Sequence, residues 1–417
     1  MDNLSPRLRF KEFKDNWKYE QIGKYIELIS GIALKGAEIS EEQKGIPILR
    51  GINITEGFIR HTLDIDRFYL GNNSKIDKYY LKIDDLVLGM DGSKVGKNVA
   101  LITEKDENSI LIQRVARIRA TEKSNIKYIY QQIFSKKFHD YVDTVNTSSG
   151  IPHISSQQIK DFTIGFPKLE EQIKIANFLT SIDEKYNLLK EKKSHLEDYK
   201  KGVMQQIFNQ KIRFKDKKGS YFKDWKEKKL GDIGKTFNGL TGKTKENFGN
   251  GLPYIQYKQI FDNSKINIEK CELVDIYVNE NQNKVQFGDV FFTVSSETPN
   301  EIGTASVLLD NVKEMYLNSF CFGYRANSLK ELVPEFSRYL FRSELFRNDI
   351  VKLAQGSTRY NMSKVELMKL KIMLPGEEEQ IKIANFLFSI DEKIDLVNIQ
   401  IAETQEYKKG LLQQMFI

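Results

Sequence analysis

Two sixteen-residue stretches, EEQIKIANFLTSIDEK from Glu170 to Lys185 and EEQIKIANFLFSIDEK from Glu378 to Lys393, differ at a single position. Matched residues are displaced by 208, so the chain is two copies of one unit. The match runs on without a gap: Pro167 to Phe208 aligns with Pro375 to Phe416, and 24 of the 42 positions are identical. The same displacement pairs Trp17 with Trp225, Gly23 with Gly231 and Gly31 with Gly239, while the sequence between has diverged. Each unit therefore has a variable front and a preserved back.

The preserved back carries a heptad pattern. Ile175, Ile182, Leu189, Leu196 and Val203 fall seven apart, with Leu179, Tyr186 and Ile207 at the companion positions. The second copy reads Ile383, Ile390, Val397, Thr404 and Leu411, with Leu387, Ile394, Ile401 and Met415 as companions. A seven-residue repeat of this length predicts two long helices coiled on each other. Pro167 and Pro375 precede acidic residues that favour a helix N-terminus. Forty residues at 1.5 Å each make a rod of roughly 60 Å, which suits a spacer between two bodies. Lys193, Lys200 and Lys408 interrupt the companion positions and leave an imperfect seam with room for a partner's helices. Gly202 and Gly410 would weaken the helices by about 1 kcal/mol each relative to alanine. They read either as points of close approach or bending, or as tolerated glycines.

The fronts mix strand-like runs with glycine turns. In the first these are GIPILRGINI (45–54), DDLVLGMDGSKVGKNVALI (84–102) and SILIQRVARIRA (109–120); GLPYIQYKQI (251–260) and GDVFFTVSSETPNEIGTASVLL (288–309) take the matching places in the second. A helix is predicted over 125–142, with Ile126, Ile129, Tyr130, Ile133, Phe134, Phe138 and Tyr141 as a core stripe, and another over 334–350. Mixed strands and helices predict α+β domains. The expected boundaries are a first domain over 1–166, a long helix over 167–210, a linker and second domain over 211–374, and a second long helix over 375–417.

Chemistry is conspicuous by its gaps. TGKT at Thr241–Thr244 lacks the glycine a phosphate loop needs five positions before Gly242, where Phe237 stands, and no G-x-G-x-x-G opens a helix. The four histidines have no ligand spacing, and the two cysteines, Cys271 and Cys321, form no C-x-x-C, so neither zinc nor a disulfide framework is expected. Two thiols suit a reducing cytoplasm. No apolar run reaches the length of about eighteen residues that a membrane helix needs. The net charge of +7 is unevenly placed: Lys211 to Lys229 holds nine Lys or Arg against three acids. Such a surplus suits phosphate contact, though basic linkers are often merely solvated. The chain reads as a binder.

The order of these elements resembles the specificity subunit of type I DNA restriction-modification systems. The resemblance rests on the two EEQIKIANFL stretches after a proline, the RF…W leading segments, ILRGINI, DDLVLGMDGSKVGK, and GSTRYNMS before the second long helix; SSGIPHIS in the first copy departs from that last form. It implies a non-catalytic chain of two pseudo-symmetric target-recognition domains, each reading half of a split site on double-stranded DNA. Two long antiparallel coiled-coil helices hold those domains apart. It also implies docking of two methyltransferase subunits, with restriction subunits able to join and no membrane partner. S-adenosylmethionine, ATP and magnesium belong to those partners, and this chain binds no cofactor and no metal. For the docking contacts the candidates are Ile175, Phe178, Ile182, Ile383, Phe386 and Ile390. For DNA they are Arg50, Ser93, Lys94, Lys97, Ser148, Ser149 and His153 in the first domain, and Gln256, Lys258, Ser295, Ser296, Arg359, Tyr360 and Asn361 in the second. Arginine suits guanine and Gln or Asn suits adenine, whereas lysine on phosphate sets register. The competing reading is a coiled-coil scaffold whose globular domains bind proteins.

Overall fold

Uninterrupted apolar runs such as LVLG and VFFT need cover on both faces, and they receive it. Leu86 and Leu88 point into a core with Trp17, Ile118 and Ile129, while Val87 between them packs with Leu49, Ile54 and Leu111. Val290 and Phe292 likewise face one core and Phe291 another. The computed structural model describes residues 6–71, 74–146, 150–356 and 359–416. The chain divides into two units, residues 1–190 with 399–417, and residues 191–398.

In the first unit the central antiparallel sheet has the order Ile26–Ser30, Val115–Ala120, Leu86–Gly89, Val99–Leu101. The second unit repeats that order with Gly234–Asn238, Cys321–Ala326, Val290–Thr293 and Ala305–Val307. Each also has a parallel pair, Ile46–Leu49 with Ile110–Leu111 and Phe248–Ile255 with Tyr316–Leu317. A buried acid just before one central strand holds an arginine of its neighbour in both: Arg119 Nη2 to Asp85 Oδ2 at 2.7 Å, and Arg325 Nη2 to Asp289 Oδ2 at 2.6 Å.

The helix expected over 125–142 is two helices, Ile126–Ile133 and Lys136–Val145, and the one over 334–350 is Pro334–Leu340 and Glu344–Val351. Both break at a serine. Ser135 and Ser343 accept from the amides of Phe138 and Phe346 and donate to the carbonyls of Gln132 and Leu340, so each caps a new helix where a continuous one would have run. The apolar stripe is core as expected: Ile129, Ile133 and Phe138 are fully buried.

The long helices are Leu169–Phe208 and Glu377–Met415. Each is anchored at its start by the leading segment of its own unit. Arg9 and Trp17 donate to Glu171, and Arg213 and Trp225 donate to Glu379; both glutamates are buried. The next residue closes the joint: Gln172 bonds the carbonyl of Pro167 and the amide of Asn125, and Gln380 those of Pro375 and Val333. The heptad positions of the second helix, from Ile383 through Ile394, Val397 and Thr404 to Met415, are buried, except Ile401, which is half-buried. In each unit the start of one helix packs with the end of the other. Ile182 shares a core with Leu411 and Met415, and Ile383 and Ile390 share one with Ile207. The lysines expected to spoil the seam are paired within the chain: Lys408 meets Asp183 and Lys200 meets Asp391, each at 2.5 Å, and Lys193 meets Glu197 at 3.7 Å. Gly202 and Gly410 have open space where a Cβ would stand, so neither marks a close approach.

Candidate nucleic-acid interface

In the second unit, strand Ser295–Ser296 pairs with Tyr360–Asn361, Ser295 opposite Asn361 and Ser296 opposite Tyr360. Four of the seven residues singled out in this domain thus share one two-strand ladder, and Arg359 extends it. Helix Tyr257–Asp262 lies against the ladder, the Tyr257 hydroxyl donating to the Ser295 carbonyl at 2.8 Å. Gln256 caps this helix and spends its amide on the Lys270 carbonyl and on Gln259; Lys258 is exposed and paired with Asp262 at 2.9 Å. A cleft of about 460 Å³ opens beside the ladder, walled by Tyr257, Phe261 and Phe320 and rimmed by Glu297, Glu301 and Arg359. Arg359 is exposed, and among the described residues its guanidinium has no hydrogen-bond or ion-pair partner.

In the first unit the same joint is a single bridge, Asp91 opposite His153. It is flanked by backbone bonds from Gly92 to Pro152 and from Ile154 to Met90. Asp91 is paired with the exposed Arg114 at 3.0 Å. The turn after it presents Ser93, Lys94 and Lys97 to solvent, with Lys94 3.1 Å from Glu56. That turn needs its glycines: Gly92 and Gly96 have φ of 92° and 77°, and a Cβ on Gly96 would strike Val142 at 2.8 Å. His153 is exposed, and Ser148 and Ser149 lie outside the described residues.

Arg50 sits elsewhere. Its Nη2 donates to the Ile65 carbonyl, its Nε is buried without a partner, and burial lowers its pKa. As placed, its fork is turned to its own chain. The docking candidates are also turned inward: Ile175, Ile182, Ile383 and Ile390 are buried core residues, and Phe178 and Phe386 pack edge-on against Phe10 and Phe214. What both long helices leave open at repeat-related positions is a different set, Ile173, Leu188 and Tyr199 with their mates Ile381, Leu396 and Tyr407; Phe388 and Ile399 are exposed on the second helix alone. Sequence reasoning missed Glu297, Glu301, Tyr257 and Phe320 in the cleft and Asp91 and Arg114 in the bridge. Glu297 was legible only as the neighbour of two chosen serines.

Lys243 of the TGKT stretch is bonded to Glu280 at 2.6 Å. Among the described residues no three His, Cys, Asp or Glu side chains gather to hold a metal, and no helix is long and apolar enough to cross a membrane.

Both units share one α+β fold, with a polar ladder in the second and a polar bridge at the same joint in the first. The type I restriction modification DNA specificity domain matches residues 14–198 and again residues 222–406, and the chain belongs to that family. The MjaVIII specificity subunit of Methanocaldococcus jannaschii is 24% identical over 95% of this chain and 91% of its own. The EcoBI specificity subunit of Escherichia coli is 21% identical over 96% and 86%. The fold matches the type I restriction-modification S subunit from M. genitalium with a TM-score of 0.59 at 17% identity, over 99% of both chains. It matches a chain from a type I R-M complex-assembly structure with a TM-score of 0.56 at 17% identity, over 96% of both. The chain is therefore a non-catalytic DNA-recognition subunit of a type I restriction-modification system.

Proposed function

We propose that the two units, as pseudo-symmetric target-recognition domains over 1–166 and 211–374, each read one half of a bipartite DNA site. One observation carries this reading. The joint between the loop after a central strand and the loop before a long helix is built alike in both units, yet its opposed residues are Asp91 and His153 in one and Ser295 and Asn361 in the other. Equal backbones with unequal polar side chains suit two different half-sites, since base edges are distinguished by donor and acceptor pattern. In this reading Ser93, Lys94, Lys97, Ser148, Ser149 and His153 serve the first half-site, with Arg50 joining them when its loop opens. Gln256, Lys258, Ser295, Ser296, Arg359, Tyr360 and Asn361 serve the second.

The helices over 167–210 and 375–417, as an antiparallel coiled coil, set the unread spacer. Two methyltransferase subunits dock on the side chains these helices leave exposed, Ile173, Leu188 and Tyr199 and their mates Ile381, Leu396 and Tyr407. The chain thereby directs adenine methylation by those subunits and cleavage by restriction subunits, which bring S-adenosylmethionine, ATP and magnesium. The test is a genome-wide map of methylated adenines in cells holding this chain and its methyltransferase subunit, against cells holding the methyltransferase alone. A split motif present only with this chain is expected. Its absence, with both proteins folded and co-purifying, would overturn the reading.

A further inference from the structure

Glu297 follows Ser296 directly and Arg359 precedes Tyr360, so the two flank the last pair of the ladder, Ser296 opposite Tyr360. Both residues are exposed and border the same cleft. Although they share this cleft, these opposite charges form no ion pair, and among the described residues neither side chain has a hydrogen-bond partner. Glu301 differs, because it accepts from the Ser296 hydroxyl at 2.9 Å. Below them Tyr257 and Phe261 lie with their rings 14° from parallel. The Tyr257 hydroxyl is already spent on Ser295, so this floor is fixed and offers no competing donor.

A free carboxylate on a DNA-facing surface is repelled by every phosphate. It contributes only where it can accept from a base. In the major groove the donors are the exocyclic amino groups, N4 of cytosine and N6 of adenine, while a guanidinium fork fits the O6 and N7 acceptors of guanine. A carboxylate and a guanidinium side by side, each unspent, are the complement of one C·G pair, whose amino donor and O6 acceptor are neighbours. An A·T pair also offers a donor beside an acceptor, but it leaves the arginine fork one bond instead of two.

We infer that Glu297 and Arg359 together read one C·G pair of the half-site taken by the second unit, Glu297 accepting from cytosine N4 and Arg359 donating to guanine. The inference rests on the proposal that this unit reads a half-site. The experiment compares the full chain with its Glu297→Gln and Arg359→Ala variants, each assembled with the methyltransferase subunit. The readouts are methylated-adenine mapping and binding to a duplex library randomised over both half-sites. Both side chains are exposed, and unchanged melting confirms each variant's fold. In the wild-type motif the second half-site is expected to hold a C·G pair whose preference falls roughly 5- to 150-fold in either variant, with the first half-site untouched.

An unchanged motif in both variants overturns the inference. So does a change confined to an A·T position, or an equal loss of binding to specific and random DNA after Arg359→Ala, which marks a phosphate contact. A wild-type chain that yields no two-part motif instead removes the half-site proposal, and the inference with it.

Discussion

His61 stands between two carboxylates, Nδ1 3.2 Å from Asp66 and Nε2 2.8 Å from Asp106. A neutral imidazole has one N–H and can donate to only one of them; the protonated ring serves both. Burial opposes the charge, but the hydrogen bond to Asp106 and the charge and hydrogen bond of Asp66 outweigh it, and the pKa is raised above 6.5. Because the folded value is the higher one, the clasp's contribution is complete below the unfolded pKa and fades as pH climbs through the raised folded pKa. Amide exchange in the 61–66 loop, corrected for its intrinsic pH dependence, should therefore quicken from pH 6.5 upward, and His61→Gln should remove that dependence. A wild-type profile that stays flat above pH 6.5 would refute it. The loop bears on Arg50, one of the proposed DNA contacts, because the Ile65 carbonyl accepts from it, and Asn53 bonds the same Asp66 carboxylate that His61 meets. Ser93 and Asn361, chosen from the sequence as short polar side chains, are both exposed in the structure. The sequence did not show that the half-buried Arg50 would donate to a carbonyl fifteen residues away.

At the scale of elements, the heptad register was readable because burial on a seven-residue period leaves its own mark on composition. Two of its details were not. Two of the three seam lysines are matched by acids on the other helix, Lys408 by Asp183 and Lys200 by Asp391, while Lys193 pairs with Glu197 on its own helix; burial lowers the Lys408 pKa against its pairing. The pairs between helices join residues about two hundred positions apart, and spacing within one helix says nothing of them. Gly202 and Gly410 are plain helix-interior glycines with room for a methyl group. Gly202→Ala and Gly410→Ala should each stabilise the chain by about 1 kcal/mol in urea unfolding. A loss of stability would mean that the backbone there does need glycine. The breaks at Ser135 and Ser343 escaped an apolar-stripe argument because capped helices in succession can keep one stripe continuous.

For the molecule as a whole, the spacer proposal has a length built into it. Removing one heptad from each long helix at repeat-related positions, Lys190 to Leu196 and Asn398 to Thr404, takes out about 10 Å at 1.5 Å per residue. With roughly 3.4 Å per base pair, the unread spacer in the methylation motif should shorten by about three base pairs while both half-sites stay as they were. A spacer of unchanged length in a folded, active complex would refute the ruler.

The repeat, the heptad period, the α+β character of the fronts and the want of a nucleotide or metal motif were settled by the chain's own order of residues. These are local or periodic properties, and they survive without knowledge of contacts. Only the tertiary structure decided which polar groups meet. Ser295 and Asn361 are brought together across a ladder, Asp91 is spent on Arg114, and Glu297 and Arg359 border one cleft without an ion pair between them. Strand register determines such meetings, and a shift of one residue would turn each of these side chains to the opposite face.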